Sequence, residues 1–434
     1  MSANIEAQHA WLVGENLPLV ASNEELPSYL PFDPVETHDG CTVNTNNNSL
    51  ITDVSGLLPT KLLVTKGSGF TTATQLLISK GNLEIMIEDT SNTTVIMHTD
   101  RSGLACNGLV CISANLRHED LDYDLQTPIV HAVSKTDEKT DTTTLYFGLS
   151  SEHAGKKMRM ECKIILPATS ALLELSIRLP SESQLEISHI KQPMVQSLNV
   201  AMIAGTIQLV NVSADKLRIA VARGSIGAVD IMASNLVEFI AVSGQIQISK
   251  CISDGTIRVN SPEATLFMRQ VVAKLVSIKG FQAEISMCDV KTGSGYIDTN
   301  YGAVTMDRIK AEILNVYTDI APVRGSWAIS QSLIINVRSA IVQGELELVG
   351  DCVHTKVKTK NWPVHLAVSE SFKGYFDVRT ANSVARFGLS NTILYKQYSH
   401  WLQGVVGTGA SRLTIESANS PVVITPNQDN SWRA

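Results

Sequence analysis

Four ring-bearing side chains crowd into one short stretch of this chain. Tyr395, Tyr398, His400 and Trp401 lie within residues 391–409, NTILYKQYSHWLQGVVGTG, while aromatic residues make up only 5% of the sequence. Rings left exposed together can stack on a sugar or on a protein partner. Rings turned inward can cover the open end of a β array. Both readings stand for this loop, and Tyr395, Tyr398 and Trp401 are its candidate binding residues. Gly404, Gly407 and Gly409 follow no strand-then-helix context, so they do not read as a nucleotide fingerprint.

Charged residues recur at a spacing of nineteen or twenty. Asn211, Asp230, Lys250, Gln270, Asp289, Arg308 and Gln331 form one column, and Asn199, Arg218, Glu238, Arg258, Ser277, Tyr296, Asp319 and Arg338 form another. Glycoside cleavage needs two carboxylates about 5–9.5 Å apart. Neither column supplies two adjacent carboxylates. Opposite charges do fall next to each other, as in Asp230 with Lys250, Asp289 with Arg308, and Arg218–Glu238–Arg258. Such neighbours read as cross-strand pairs on a solvated face.

Other chemistry is not readable. Gly155-Lys156-Lys157 lacks the first glycine and the Ser/Thr of a phosphate loop. The acidic run from His118 to Asp124 lacks the spacing of a calcium loop. No zinc-protease, nucleophile-elbow or Cys/His zinc spacing occurs. The sequence therefore yields no catalytic residue, no metal site and no cofactor.

These residues are positioned by an internal repeat, Gly-x-φ-x-φ with φ apolar. It begins at Gly205, Gly224, Gly244, Ala264, Ala283, Gly302, Gly325 and Gly344, in steps of 19, 20, 20, 19, 19, 23 and 19 residues. All sixteen φ positions are apolar, from Ile207 and Leu209 to Leu346 and Leu348. Period-two alternation predicts a strand with one buried face. A second strand precedes each, as at Leu217/Ile219 and Val237/Phe239. Two short strands per twenty residues predict an all-β fold, a parallel β-solenoid in which each rung hydrogen-bonds to the next at about 4.8 Å. The Gly column predicts a corner with positive φ. At Ala264 and Ala283 a small residue beside the wall suffices.

The array is expected to run on through Val357, Trp362, Val364 and Leu366, then Val378, Ser383 and Phe387, then Leu413, Ile415, Val422 and Ile424. Four regions follow. Residues 1–55, rich in Asn, Pro and acidic residues, read as a loosely ordered arm. Residues 56–170 are strand-rich, either irregular rungs or a separate β domain. Residues 171–425 are the solenoid with its aromatic loop or cap at 391–409, and 426–434 a tail.

Lys+Arg number 35 against Asp+Glu 42, a net charge of −7, with no basic run. That argues against nucleic acid, whose phosphates demand clustered cations. No apolar stretch is long enough to span a membrane as a helix, and the first twenty residues carry no signal pattern. Seven scattered cysteines without CxxC favour reduced thiols and a cytoplasmic location. Asn47, Asn92 and Asn211 sit in sequons, a pattern common by chance.

The run L-x-V/I, four residues, G-x-I-x-I is best carried by Leu217–Ile226 and Val237–Ile246. Repeated after a segment ending in IILP, it resembles a widespread family of putative adhesin β-solenoid domains. The resemblance covers roughly residues 160–425. It implies a β-solenoid, an adhesion-like role and, since many members are exported or anchored, a place at the cell surface. It carries over no functional residue. The expected function is a non-enzymatic β-solenoid serving as a binding, adhesion-like or scaffold surface for a protein or glycan. The alternative is a polysaccharide lyase or hydrolase on the same scaffold.

Overall fold

The computed structural model is all-β, a parallel β-solenoid of about 10 turns with rungs about 20 residues apart. It describes residues 70–76, 80–87, 92–100, 110–118, 130–137, 142–149, 158–167, 171–179, 182–191 and 195–427. The arm at 1–55, residues 56–69, Gly155–Lys157, the acidic run after His118 and the last seven residues of the tail lie outside the described residues. The chain divides into two compact units, Met1–Gly227 and Ala228–Ala434.

The first unit contains β1 (Phe70–Leu76), β2 (Lys80–Ile87), β3 (Asn92–Asp100), β4 (Val110–His118), β5 (Val130–Asp137), β6 (Thr142–Leu149), β7 (Met158–Pro167), β8 (Ala171–Leu179), β9 (Ser183–Ser188) and the start of β10 (Val195–Ser261). In the strand-rich stretch parallel and antiparallel pairings both occur. β2 lies in parallel between β6 and β8, and β3 between β7 and β9. The β2–β3 rung, earliest of these in sequence, is thus inserted between two later ones. β4 pairs antiparallel with β7, β5 antiparallel with β6, and β1 antiparallel with β4. β8 and β9 then pair in parallel with β10.

The second unit continues with the rest of β10, β11 (Glu263–Gly280), β12 (Ile285–Thr299), β13 (Val304–Thr318), β14 (Val323–Val337), β15 (Val342–Leu348), β16 (His354–Thr359), β17 (Val364–Ser369), β18 (Gly374–Thr380), β19 (Ala385–Phe387), β20 (Thr392–Tyr398), β21 (Trp401–Val406), β22 (Ser411–Ser417) and β23 (Val422–Asn427). Parallel registers stack like on like: Ile246 with Leu266, Leu266 with Ile285, Ile285 with Val304. All sixteen repeat positions are buried, none more than 8% exposed. Apolar ladders of this kind hold the fold, because a single rung has no second layer to cover its face.

Two expectations change. The step of 23 residues does not put Gly325 on Gly302. The rung keeps a 19-residue step, with Val323 on Val304, so Gly325 falls against Met306; a register shift after Met306 then sets Trp327 against Ile309, and a second between Ala311 and Ile313 restores the step. Trp327, fully buried, fills the core there, and Gly344 on the next rung makes room for it. A Cβ at 344 would lie 2.5 Å from its Cη2. The array also does not end in sequence order. β22 pairs in parallel with both β16 and β18, and β23 with both β17 and β19. The last rung in sequence is inserted between the two before it, leaving β18–β19 further out, where β21 pairs with β18.

Two corners repeat. Gly205, Gly224 and Gly244 have φ of 138°, 143° and 116°, as the sequence predicts, and a Cβ on Gly224 would lie 1.8 Å from the Gly205 carbonyl oxygen; Gly302 and Gly344 are not at positive φ, and Gly325, at 152°, stands on Met306 rather than in this corner. At Ala264 and Ala283, both fully buried, the corner is instead a stacked bend, with Phe281 N donating to Pro262 O (3.0 Å) and Tyr301 N to Phe281 O (2.9 Å). The other corner is the column six residues further on. His189, Asn211, Asp230, Lys250, Gln270, Asp289 and Arg308 all have φ between 52° and 59°. Left-handed backbone costs about 1–2 kcal/mol for most residues and least for Asn and Asp, which explains two of the types but not Lys250, Gln270 or Arg308. Gln331 is not in this column; its Nε2 bonds Glu312 instead (3.0 Å).

Gln270 is exposed at such a corner. Gln270→Gly is expected to raise stability by about 0.5 kcal/mol, the relieved strain less glycine's extra entropy, and Gln270→Val to lower it by more than ~1 kcal/mol. Gly224→Ala is expected to cost over ~3 kcal/mol, because backbone must move. Urea melts of the three variants check the order.

Candidate functional site

The aromatic stretch forms a hairpin. β20 and β21 pair antiparallel across the two-residue turn Ser399–His400, with Tyr398 opposite Trp401. Leu402 and Val406 point inward and are buried, so β21 covers the outermost rung as a cap would. β20 is different. Each of its seven residues is half-buried or exposed, and its only partner strand among the described residues is β21. Ile393, Tyr395 and Tyr398 are 61%, 62% and 58% exposed. Tyr395 stands at a bulge between Leu394 and Lys396.

The three candidate rings therefore part company. Trp401 is half-buried and fixed. Its Nε1 donates to Asp377 Oδ1 (3.0 Å), Lys396 Nζ lies 3.7 Å from the ring centroid, and Arg379 Cζ lies 4.7 Å from it. Arg379 also grips the same carboxylate through Nε (2.8 Å) and Nη2 (2.5 Å). Asp377 is only 3% exposed, so these donors compensate a carboxylate removed from water. Gln403 Nε2 donates to Tyr375 Oη on the same face. Tyr398 stacks on His400 at 5.9 Å, while Tyr395 has no ring contact among the described residues.

Beside the hairpin a groove of about 690 Å³ crosses strands β14, β16, β22, β18 and β21. The register explains its wall: Asn336, Lys358, Glu416, Arg379 and Trp401 follow one another at a single level of successive strands. This row was not legible as one, because β22 enters it out of sequence order.

The charge columns pair as expected. Lys250 Nζ lies 3.8 Å from Asp230, Arg258 3.3 Å from Glu238, and Arg338 3.4 Å from Asp319. At Asp289 the structure adds what the columns miss. Arg308 binds Asp289 through Nε (2.5 Å) and Nη2 (2.9 Å), Asp307 through Nη1 (2.7 Å), and Cys288 Sγ at 3.0 Å. Asp307 precedes the column by one residue, and Ser326 bonds its other oxygen at 3.0 Å. Two carboxylates thus share one guanidinium. This is not an acid–base pair. The Arg308 hydrogen bonds hold the Asp289 carboxyl below the usual range, the reverse of what a general acid needs. Burial pushes the Cys288 thiol up, away from a reactive thiolate, and burial pushes Cys251 up to about 12. Among the described residues no group of His, Cys, Asp and Glu could hold a metal ion.

Asp377→Ala is expected to cost about 2 kcal/mol and to shift Trp401 fluorescence, since two donors lose a buried acceptor. For Asp289, a lowered folded pKa means stability present above the unfolded pKa and lost as pH falls through the folded one. The stability gap between the wild type and Asp289→Asn should therefore be full at pH 7 and vanish in acid below the ordinary carboxylate range, as read from urea midpoints across pH.

Among the described residues, no helix is long and apolar enough to cross a membrane. No family model and no curated protein matches the chain. One solved structure, of a "putative cell adhesion protein" from Clostridium sporogenes ATCC 15579, aligns over 82% of this chain and 100% of its own at 6% identity, with a TM-score of 0.16. So low a score carries no argument about activity. What the chain belongs to by its own geometry is the architectural class of parallel β-solenoids.

Proposed function

We propose that this chain is a non-enzymatic β-solenoid that presents a binding surface, with the β20–β21 hairpin as its contact element. One observation carries the reading. β20 leaves Ile393, Tyr395 and Tyr398 mostly in water along an edge strand with no outer partner among the described residues. Proteins blunt such edges or cover them, and exposed aromatic groups on one are a common mark of an interaction site. Trp401 is held by Asp377, Lys396 and Arg379, so it supports the hairpin while Tyr395 and Tyr398 make the contact. The resemblance to adhesin-like solenoids supports a surface role of this kind. The polysaccharide lyase or hydrolase reading finds no support in the Asp289–Asp307 pair, because both carboxylates are tied to Arg308.

The test is an array of glycans and protein ligands probed with the wild type and with Tyr395→Ala/Tyr398→Ala. Both tyrosines are exposed, so the variant is expected to melt like the wild type and to lose its ligand by about tenfold or more. Equal binding would overturn the hairpin as contact site. Depolymerisation of any polysaccharide in the array would overturn the non-enzymatic reading.

A further inference from the structure

The groove beside the hairpin holds a small positive excess in an acidic chain, one cation beyond three ion pairs. The protein carries a net charge of −7. Yet Arg338, Lys358, Lys360 and Arg379 all line this groove, against one lining carboxylate, Glu416. Three of the four cations are partly answered. Arg338 meets Asp319 at 3.4 Å, Lys358 meets Glu416 at 3.5 Å, and Arg379 meets Asp377 at 2.5 Å. Lys360 is exposed and has no ion pair among the described residues. A concave wall focuses the field of such a cluster and favours an anion over water. Its volume of about 690 Å³ lies in the range of small-ligand sites.

The rest of the lining says what the anion is attached to. Trp401, Ala381 and Ala418 are also among the lining residues. That combination suits a body with apolar faces and hydroxyl edges. The outward side chains also recur at the strand spacing of about 4.8 Å, so a linear chain lying across the strands meets a new group at each rung. We propose that the groove binds an acidic saccharide, its carboxylate or sulfate facing Lys360 and Arg338 and its body lying along the groove past Trp401. The inference rests on the reading of the hairpin end as a binding surface and names its ligand class.

The experiment is calorimetric titration of the full chain with three oligosaccharides of equal length: a uronate, a sulfated neutral sugar and the unmodified neutral sugar. Each is run at low and physiological ionic strength, with wild type, Lys360→Glu and Arg338→Glu. Both replaced residues are exposed, and each variant's melting curve is checked first. The expected result is binding of at least one acidic oligomer, none of the neutral one, weakening with salt, and a loss of roughly five- to tenfold in each variant. Uronate above sulfate assigns a carboxylate ligand, and the reverse a sulfate.

Absence of acidic-oligomer binding overturns the proposal, as does binding that Lys360→Glu leaves unchanged. Equal competition by polyglutamate or by a single-stranded DNA oligomer also overturns it, since the groove would then read charge alone. A ligand lost in Tyr395→Ala/Tyr398→Ala but indifferent to Lys360→Glu sinks this inference and leaves the binding-surface reading standing.

Discussion

Everything in this protein hangs on rungs that cannot stand alone. Each contributes two short strands with one apolar face and no second layer of its own. The face is buried only when the next rung sits in register above it, Ile246 on Leu266 and Leu266 on Ile285. A slip of one residue would turn every apolar side chain to water. Register is therefore held by each rung against its neighbours, and the corners must repeat closely enough to keep it. That demand makes left-handed backbone tolerable at Lys250, Gln270 and Arg308, where the local preference is poor.

The same dependence makes an outermost rung a problem, since its far side has no partner. Each unit meets it in a similar way. In the first, β2–β3 is inserted between later rungs and the outer strands β6 and β7 carry antiparallel partners. In the second, β22–β23 returns between earlier rungs, and β21 lies antiparallel on β18. Insertion gives the β2–β3 and β22–β23 rungs hydrogen-bonded neighbours on both edges. The antiparallel strands cannot template a further parallel rung, which blunts the edge. The exposed hairpin and the basic groove follow from this arrangement. β20 is what remains outermost, and the insertion of β22 sets Glu416 between Lys358 and Arg379.

Charge plays two parts on this scaffold. Along the columns, Asp230–Lys250 and Asp289–Arg308 neutralise neighbouring rungs at solvated corners, where such pairs contribute little but avoid like-charge stacking. Under the hairpin, Asp377 is buried and binds Arg379 and Trp401 together, so its removal would strand two donors at once. The first kind tolerates substitution. The second ties Trp401 of β21 to Asp377 of β18.

Sequence by itself determined the rung. The alternation at Ile207/Leu209 through Leu346/Leu348 is a local pattern, and burial of one strand face is the only way to satisfy it. The Gly corners and the pairing of Asp230 with Lys250 followed from the same period. The order of rungs did not, because an inserted rung has the same local pattern as an appended one. β22 reads alike whether it lies beyond β18 or beneath it. The register at Gly325 was hidden too, since the rung keeps its 19-residue step with Val323 on Val304, while the motif that recurs after 23 residues starts four residues further along the strand. The split between a fixed Trp401 and exposed Tyr395 and Tyr398, and the row from Lys358 to Trp401, were decided only by tertiary packing. Those neighbours are brought together by strands far apart in the chain, and no spacing along it records which side of a hairpin meets the wall.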